Sequence, residues 1–302
     1  MNTPVTIDIQ KTSDAVMERF RKLNSASGPY RGMVHSVYRH TVNLQFPDSL
    51  LAIQCQGSAV SPISLILPLD GAQMDALPIT QNAPCFMYPN HIEIHDKNSL
   101  IIFSLKESVE SYPASVQSEA VQSTSSGEYF RDGIHQVIAN SGKNGFAYIV
   151  NDDPRLKGDF ILQGAKKYIQ ETGSFLESGD AKKAAASLVR VVGLGTGLTP
   201  CGDDFLCGVL ALLQSTSLKE SSFTALLSRH IQKNLANTND ISGEFLQSAI
   251  RGQYSEPVIQ LLSCRNQGVD EIVKAAETFL SIGHSSGVDT LCGMLWVLDF
   301  VK

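Results

Sequence analysis

Three carboxylates set among an unusual density of glycines are where this sequence could do chemistry. Between Val191 and Leu210 it reads VVGLGTGLTPCGDDFLCGVL. Gly193, Gly195 and Gly197 alternate, Leu198-Thr199-Pro200-Cys201-Gly202 follows, and Asp203 and Asp204 stand together ahead of an apolar run. Glycine in such numbers lets a backbone take positive φ or pass close to a ligand. With Thr199 or Gly202 as N-cap, both carboxylates fall in the first turn of a helix, where the dipole favours negative charge. A second copy lies 85 positions on: Gly287, Asp289, Leu291, Cys292, Gly293 and Leu295 overlay Gly202, Asp204, Leu206, Cys207, Gly208 and Leu210. Both segments read G-x-D-x-L-C-G-x-L, and Gly283-His284-Ser285-Ser286 leads into the second. Two loops of one design, each with an Asp at the mouth of a glycine-containing helix, are expected to face one cleft. A duplicated helical hairpin accounts for Gly208 and Gly293 by close packing, but not for the polar lead-ins.

Helix N-termini with free N–H groups, flanked by the hydroxyls of Thr199, Ser285 and Ser286, suit an anion or a carbonyl oxygen. The carboxylates oppose a wholly anionic ligand unless they hold an amide or ammonium group. A carbamoyl or ureido group uses both kinds of partner, its NH₂ donating to an Asp and its oxygen accepting from backbone N–H. On that reading Gly195, Gly197, Thr199, Gly202, Asp203, Ser285, Ser286 and Gly287 bind the ligand. Asp204 and Asp289 orient the NH₂, and His284 handles a proton; the alternative for His284 is a bond to a backbone carbonyl. Ser242, in Asn239-Asp240-Ile241-Ser242, is either a helix cap or a further ligand contact. Cys201, close to a helix N-terminus, would have a lowered pKa, but the sequence fixes no base beside it. No metal or other cofactor is expected. The alternative is Mg²⁺ on Asp203, Asp204 and Asp289, hard oxygen donors suited to it. GxxxxGK[ST], HExxH and GxSxG are absent, and the alternating glycines follow a helical rather than a strand pattern, which excludes a dinucleotide fingerprint.

The elements that must carry these loops divide the chain in two. Residues 1–112 read as β-rich: short runs at Gly32–Tyr38, Thr41–Phe46, Leu50–Gln54, Ile63–Leu67, Cys85–Met87, His91–His95 and Leu100–Leu105 are punctuated by Pro, Gly and Asp. An opening helix from Ser13 to Leu23 precedes them. A small antiparallel barrel or sandwich is expected. Residues 113–127 are rich in Ser and read as a linker or mobile loop. Beyond, in 128–302, the apolar period becomes helical, with about eight helices and Trp296 in the core. The fold class is thus α+β: a β-barrel-like or sandwich domain followed by an all-helical domain. At 302 residues with 43% hydrophobic and 18% charged content, the chain is an ordinary globular protein. A net charge of −6 without a basic cluster argues against nucleic acid as a partner, and no run is apolar enough to span a membrane. Six scattered cysteines and a polar start point to the cytoplasm.

The residues GLGTGLTPCGDDFL from Gly193 resemble the GLGPGLTPSGDDFL signature of the AllH-type subunit family of oxamate carbamoyltransferase. Gly283-His284-Ser285-Ser286-Gly287-Val288-Asp289-Thr290-Leu291 is similar to that family's second signature, GH-[ST]-SG-x-D-x-L. Asp240 to Val258 resembles its middle block, and Gly32-Met33-Val34-His35-Ser36-Val37-Tyr38 an early one. Thr196 and Cys201 depart from the common Pro and Ser, which affects fine loop geometry. The resemblance implies a β-rich domain followed by a helical one. It implies work in anaerobic allantoin (purine) catabolism, where a multi-subunit enzyme converts oxalurate and phosphate to oxamate and carbamoyl phosphate beside an FdrA-like subunit and a second companion. Many members occur outside that pathway, and the resemblance does not say which subunit holds the active site. The other readings are a non-catalytic scaffold or effector-binding subunit, and an Mg²⁺-dependent hydrolase resembling ADP-ribosylglycohydrolases through the carboxylates alone.

Overall fold

The computed structural model describes residues 4–23, 28–97, 99–116 and 124–301. The chain divides into two compact units, residues 1–114 and 115–302.

The first unit is a ten-stranded mixed sheet. Its strands are β1 (Val5–Asp8), β2 (Lys11–Ser13), β3 (Tyr30–Tyr38), β4 (Thr41–Phe46), β5 (Ser49–Gln54), β6 (Ser64–Ile66), β7 (Pro84–Tyr88), β8 (His91–Asp96), β9 (Ser99–Ser104) and β10 (Glu110–Tyr112). Helix α1 (Asp14–Lys22) follows β2, and the short α2 (Gly71–Asp75) follows β6. The sheet order is β1-β9-β8-β7-β3-β4-β5-β6-β2-β10. The sheet is curled shut by its first strands. β1 pairs with β9, and two residues later β2 pairs with β6, so Ile9 N–H donates to Ser104 O while Gln10 N–H donates to Ile66 O. A continuous stretch bonded to both ends of the strand order closes the barrel-like form and removes most free edge. Alternation sorts the side chains: Ile92 and Ile94 of β8 enter the core with Val34, Leu44, Phe46, Ile53 and Phe103.

The β-rich expectation holds with two differences. The pairs β1–β9, β5–β6 and β2–β10 are parallel. Strands β1, β2 and β10, of three or four residues, are too short to show a period-2 signal.

The second unit is helical: α3 (Thr124–Asn140), α4 (Ala147–Val150), α5 (Phe160–Glu177), α6 (Ala181–Leu188), α7 (Cys201–Ser215), α8 (Ser222–Asn234), α9 (Asp240–Ile250), α10 (Glu256–Ser263), α11 (Val269–Glu277) and α12 (Ser286–Phe300). Of the expected linker 113–127, residues 117–123 lie outside the described residues. Its described ends are engaged in secondary structure: Ser115 bridges to Gln253, Val116 N–H donates to Gly252 O, and α3 already begins at Thr124. Among the described residues no helix is long and apolar enough to cross a membrane.

Helices α7 and α12 form the centre of this unit. From Gly287 to Val297 every residue of α12 is buried, and α7 is buried on nearly all sides. A helix apolar all round belongs inside. The two cross where each has a glycine one turn below its Asp. A Cβ added to Gly208 would lie 1.9 Å from the Thr290 carbonyl oxygen, and one added to Gly293 would lie 2.0 Å from that of Phe205. Since Phe205 and Thr290 are themselves 85 positions apart, the crossing is reciprocal about a local pseudo-two-fold. The repeat extends to what precedes each helix: 3₁₀ turns at Val189–Val191 and Thr278–Ser281 come before the two loops.

Candidate functional site

The same crossing brings the two polar loops together. Thr199 Oγ1, from the loop before α7, lies 2.8 Å from Ser286 Oγ at the start of α12. The two loops of the repeat, expected to face each other, are therefore in direct contact. Gly193, Gly195 and Gly197 take φ of +73°, +122° and +95°, which only glycine adopts without strain. Gly195 also needs its missing Cβ, since one there would lie 2.7 Å from both the backbone N and the Sγ of Cys201. Gly197 faces open space, and Thr196, Gly197 and Leu198 are exposed.

The three carboxylates have different surroundings. Asp203 is buried and fully engaged: Oδ1 accepts from Gly193 N–H at 2.8 Å, and Oδ2 accepts from Ser242 Oγ at 2.7 Å and from Thr238 Oγ1. It fastens the glycine loop to the N-terminus of α9. Burial raises its pKa, and these three donors work against that. Asp203 and Ser242, both expected as ligand contacts, are thus turned to each other. The cap of α9 is Asn239, which accepts from the N–H groups of Ile241 and Ser242.

Asp204 and Asp289 differ from Asp203. Asp289 is 0% exposed, and its Oδ1 accepts from Phe146 N–H at 2.7 Å. Its Oδ2, like Oδ2 of Asp204, is buried without a hydrogen-bond partner among the described residues. Burial pushes Asp289 up to about 7, against the bonds from Phe146 N–H and Ser285. Burial and then the charge of Asp289 push Asp204 well above the carboxylate range, opposed by the Ser286 and Thr199 hydroxyls. The Thr199 and Ser286 hydroxyls, bonded to each other across the two loops, and the charge of Asp289 all act on Asp204, so the two carboxyl groups stand near each other. Two orphaned buried acceptors carry a desolvation penalty that a hydrogen-bonding ligand removes.

The backbone amides sort into engaged and free. Gly202 N–H donates to Leu194 O and Gly287 N–H to Ile282 O. Both glycines are pressed on carbonyls, with an added Cβ 2.0 Å from Val191 O and from Phe279 O respectively. These two residues, expected to offer N–H groups to a ligand, close their own loops instead. The N–H groups of Gly195 to Thr199 and of Cys201 donate to nothing among the described residues. Ser285 precedes α12 without a side-chain cap bond, and His284 is exposed. The Cys201 thiol departs from expectation. Burial, then the charges of Asp289 and Asp204, push it up to about 12, so proximity to a helix N-terminus does not activate it.

Sequence reasoning missed the contribution of Gly145 and Phe146. Gly145 (φ +77°) lies against Asp289, and the Phe146 amide is the fixed donor to it. The pair of glycines, Gly142 and Gly145, was the available signal. As for a divalent cation, no three His, Cys, Asp or Glu side chains gather to hold one among the described residues. Of the three carboxylates expected as alternative Mg²⁺ ligands, Asp203 has both oxygens engaged by Gly193, Thr238 and Ser242.

Two family models match the chain. Residues 191–298, which contain both loops, α7 and most of α12, match the family described as oxamate carbamoyltransferase subunit AllH. Residues 5–114, the curled sheet, match the AllH family N-terminal domain. The chain belongs to the AllH family. Members of that family are described as subunits of oxamate carbamoyltransferase, an assembly with companion chains. No solved structure matches the chain.

Proposed function

We propose that this chain supplies the carbamoyl-binding site of an oxamate carbamoyltransferase working in anaerobic allantoin (purine) breakdown, with an FdrA-like subunit and a second companion. The observation that carries the reading is the pair of buried, partnerless oxygens of Asp204 and Asp289, with the Thr199 and Ser286 hydroxyls beside Asp204. A carbamoyl group is neutral, planar and rich in both donors and acceptors. It fills such a site without bringing a third negative charge to the carboxyl groups.

In this reading the loop N–H groups hold phosphate, and the Asp204–Asp289 pair holds the carbamoyl group. A phosphate oxygen attacks the carbamoyl carbon of oxalurate, the C–N bond to the oxamate nitrogen breaks, and the phosphate proton passes to that nitrogen, with His284 as carrier. The products are carbamoyl phosphate and oxamate. Positioning and oxyanion stabilisation supply most of the acceleration.

The test is oxamate release from oxalurate and phosphate by the complete complex. Thr199→Val removes the hydroxyl shared by the two loops, and turnover is expected to fall by roughly tenfold or more. Unchanged turnover in Thr199→Val and in Asp289→Ala would make the chain a scaffold and place the chemistry on a companion.

A further inference from the structure

The two loops are copies, yet their carboxyl groups are not equivalent, and the difference is one of hydrogen-bond direction. Asp289 faces a backbone N–H, that of Phe146, at 2.7 Å. An amide N–H can only donate, so the oxygen opposite it must be an acceptor, which favours the ionised form. The hydroxyls beside Asp204, those of Thr199 and Ser286, bond to each other at 2.8 Å. Hydroxyls rotate and either donate or accept, so they tolerate a carboxylic acid. Asp289 has no exposed surface, and the second oxygen of each group lacks a partner. Two carboxylates in one buried space cannot both be charged, and the proton settles on the member without a fixed donor. A ligand that fits must then accept from one group and donate to the other.

We propose that Asp204 is a neutral carboxylic acid that donates its O–H to the carbonyl oxygen of the carbamoyl group, while Asp289 is the carboxylate that accepts from its NH₂. This rests on the carbamoyl reading above and deepens it by giving the two residues opposite roles. Asp204 strengthens its bond as negative charge develops on that oxygen during attack, and keeps its proton throughout. Asp289 fixes the plane of the group. Burial raises both groups, and the charge of Asp289 adds to the rise at Asp204.

The experiment uses asparagine, whose NH₂ can replace an acid O–H as donor but leaves a site short of an anionic acceptor. In the complete complex, Asp204→Ala and Asp289→Asn are each expected to lose roughly 100-fold or more in oxamate release, the scale for removing one oxyanion donor. Asp204→Asn is expected to recover at least about tenfold over Asp204→Ala. Asp204→Asn as inactive as Asp204→Ala, or Asp289→Asn the better tolerated of the two, overturns the assignment. Difference infrared spectra of the full chain at about pH 9, where Asp289 is ionised, give a readout independent of turnover. A carboxylic-acid C=O band should vanish in Asp204→Asn and persist in Asp289→Asn; the reverse pattern overturns the proposal. If the wild-type complex releases no oxamate while that band behaves as expected, the carbamoyl reading and the donor role fall and the position of the proton stands.

Discussion

Replacing Gly208 with Ala asks whether the helix crossing really sets the site. The new Cβ would lie 1.9 Å from Thr290 O, 2.9 Å from Thr290 C and 3.2 Å from Met294 N, all backbone atoms of α12. A close C···O contact needs about 3.3 Å, so the helices must part by roughly 1.4 Å. No rotamer change relieves this, because nothing struck is a side chain. Overpacking in a core costs about 1–3 kcal/mol, occasionally more, and a backbone clash belongs at the upper end. Ala is the better helix former by about 1 kcal/mol, so the measured loss is expected to be about 2 kcal/mol. Gly293→Ala strikes the same crossing from the other side, 2.0 Å from Phe205 O. Once the helices have parted for one methyl, the second costs less, and the double variant should lose at least about 1 kcal/mol less than the sum. Gly164→Ala in α5 is the control: a Cβ there meets nothing within 4 Å, and a gain of about 0.5–1 kcal/mol is expected. Urea unfolding of the full chain measures all four. Asp204 and Asp289 lie one turn above these glycines, so parting the helices also misplaces the carboxyl pair, and turnover should drop by about 100-fold per ångström. Additive losses, or a single variant as stable as the wild type, would refute the reciprocal crossing.

Two further outcomes follow from the buried groups. Asp289, at about 7 in the folded chain, lies above its unfolded value near 3.9. Between the two the native state holds a proton the unfolded state has released, so stability is fullest below about pH 4 and falls by a few kcal/mol as pH rises to about 7. Asp289→Asn should reduce that slope, leaving the share that Asp204 contributes, and be more stable than the wild type at about pH 8, as urea midpoints across the range will show; an unchanged slope would place the titration elsewhere. Cys201, pushed up to about 12, should react with iodoacetamide more than about 100-fold slower than a free thiol at about pH 8, and Cys201→Ser should keep turnover within about twofold. Rapid alkylation with loss of activity would restore it as a nucleophile.

Much of the fold was legible because period and punctuation are local properties. The boundaries of β4 coincide with the expected run, and α1 begins at its expected Ser13 cap. What escaped was short or marginal: β1, β2 and β10 exist through pairing with distant partners, which local propensity does not encode. The capping box of Asp70 and Gln73 around α2 was legible but lay among turn residues.

For the site, the sequence by itself determined the repeat, the positions of Asp204 and Asp289 at two helix starts, and the glycines one turn beyond each. The repeat also marks Gly208 and Gly293 as positions suited to close helix packing. Which groups remain available to a ligand was decided only by tertiary structure. Asp203 and Asp204 are neighbours in the chain, yet helical rotation of about 100° per residue turns one towards Thr238 and Ser242 and the other into the space beside Asp289. The donor from Phe146 that makes the two copies unequal comes from 143 residues away. Burial and hydrogen-bond direction belong to the assembled surroundings of a residue, and no stretch of sequence contains them.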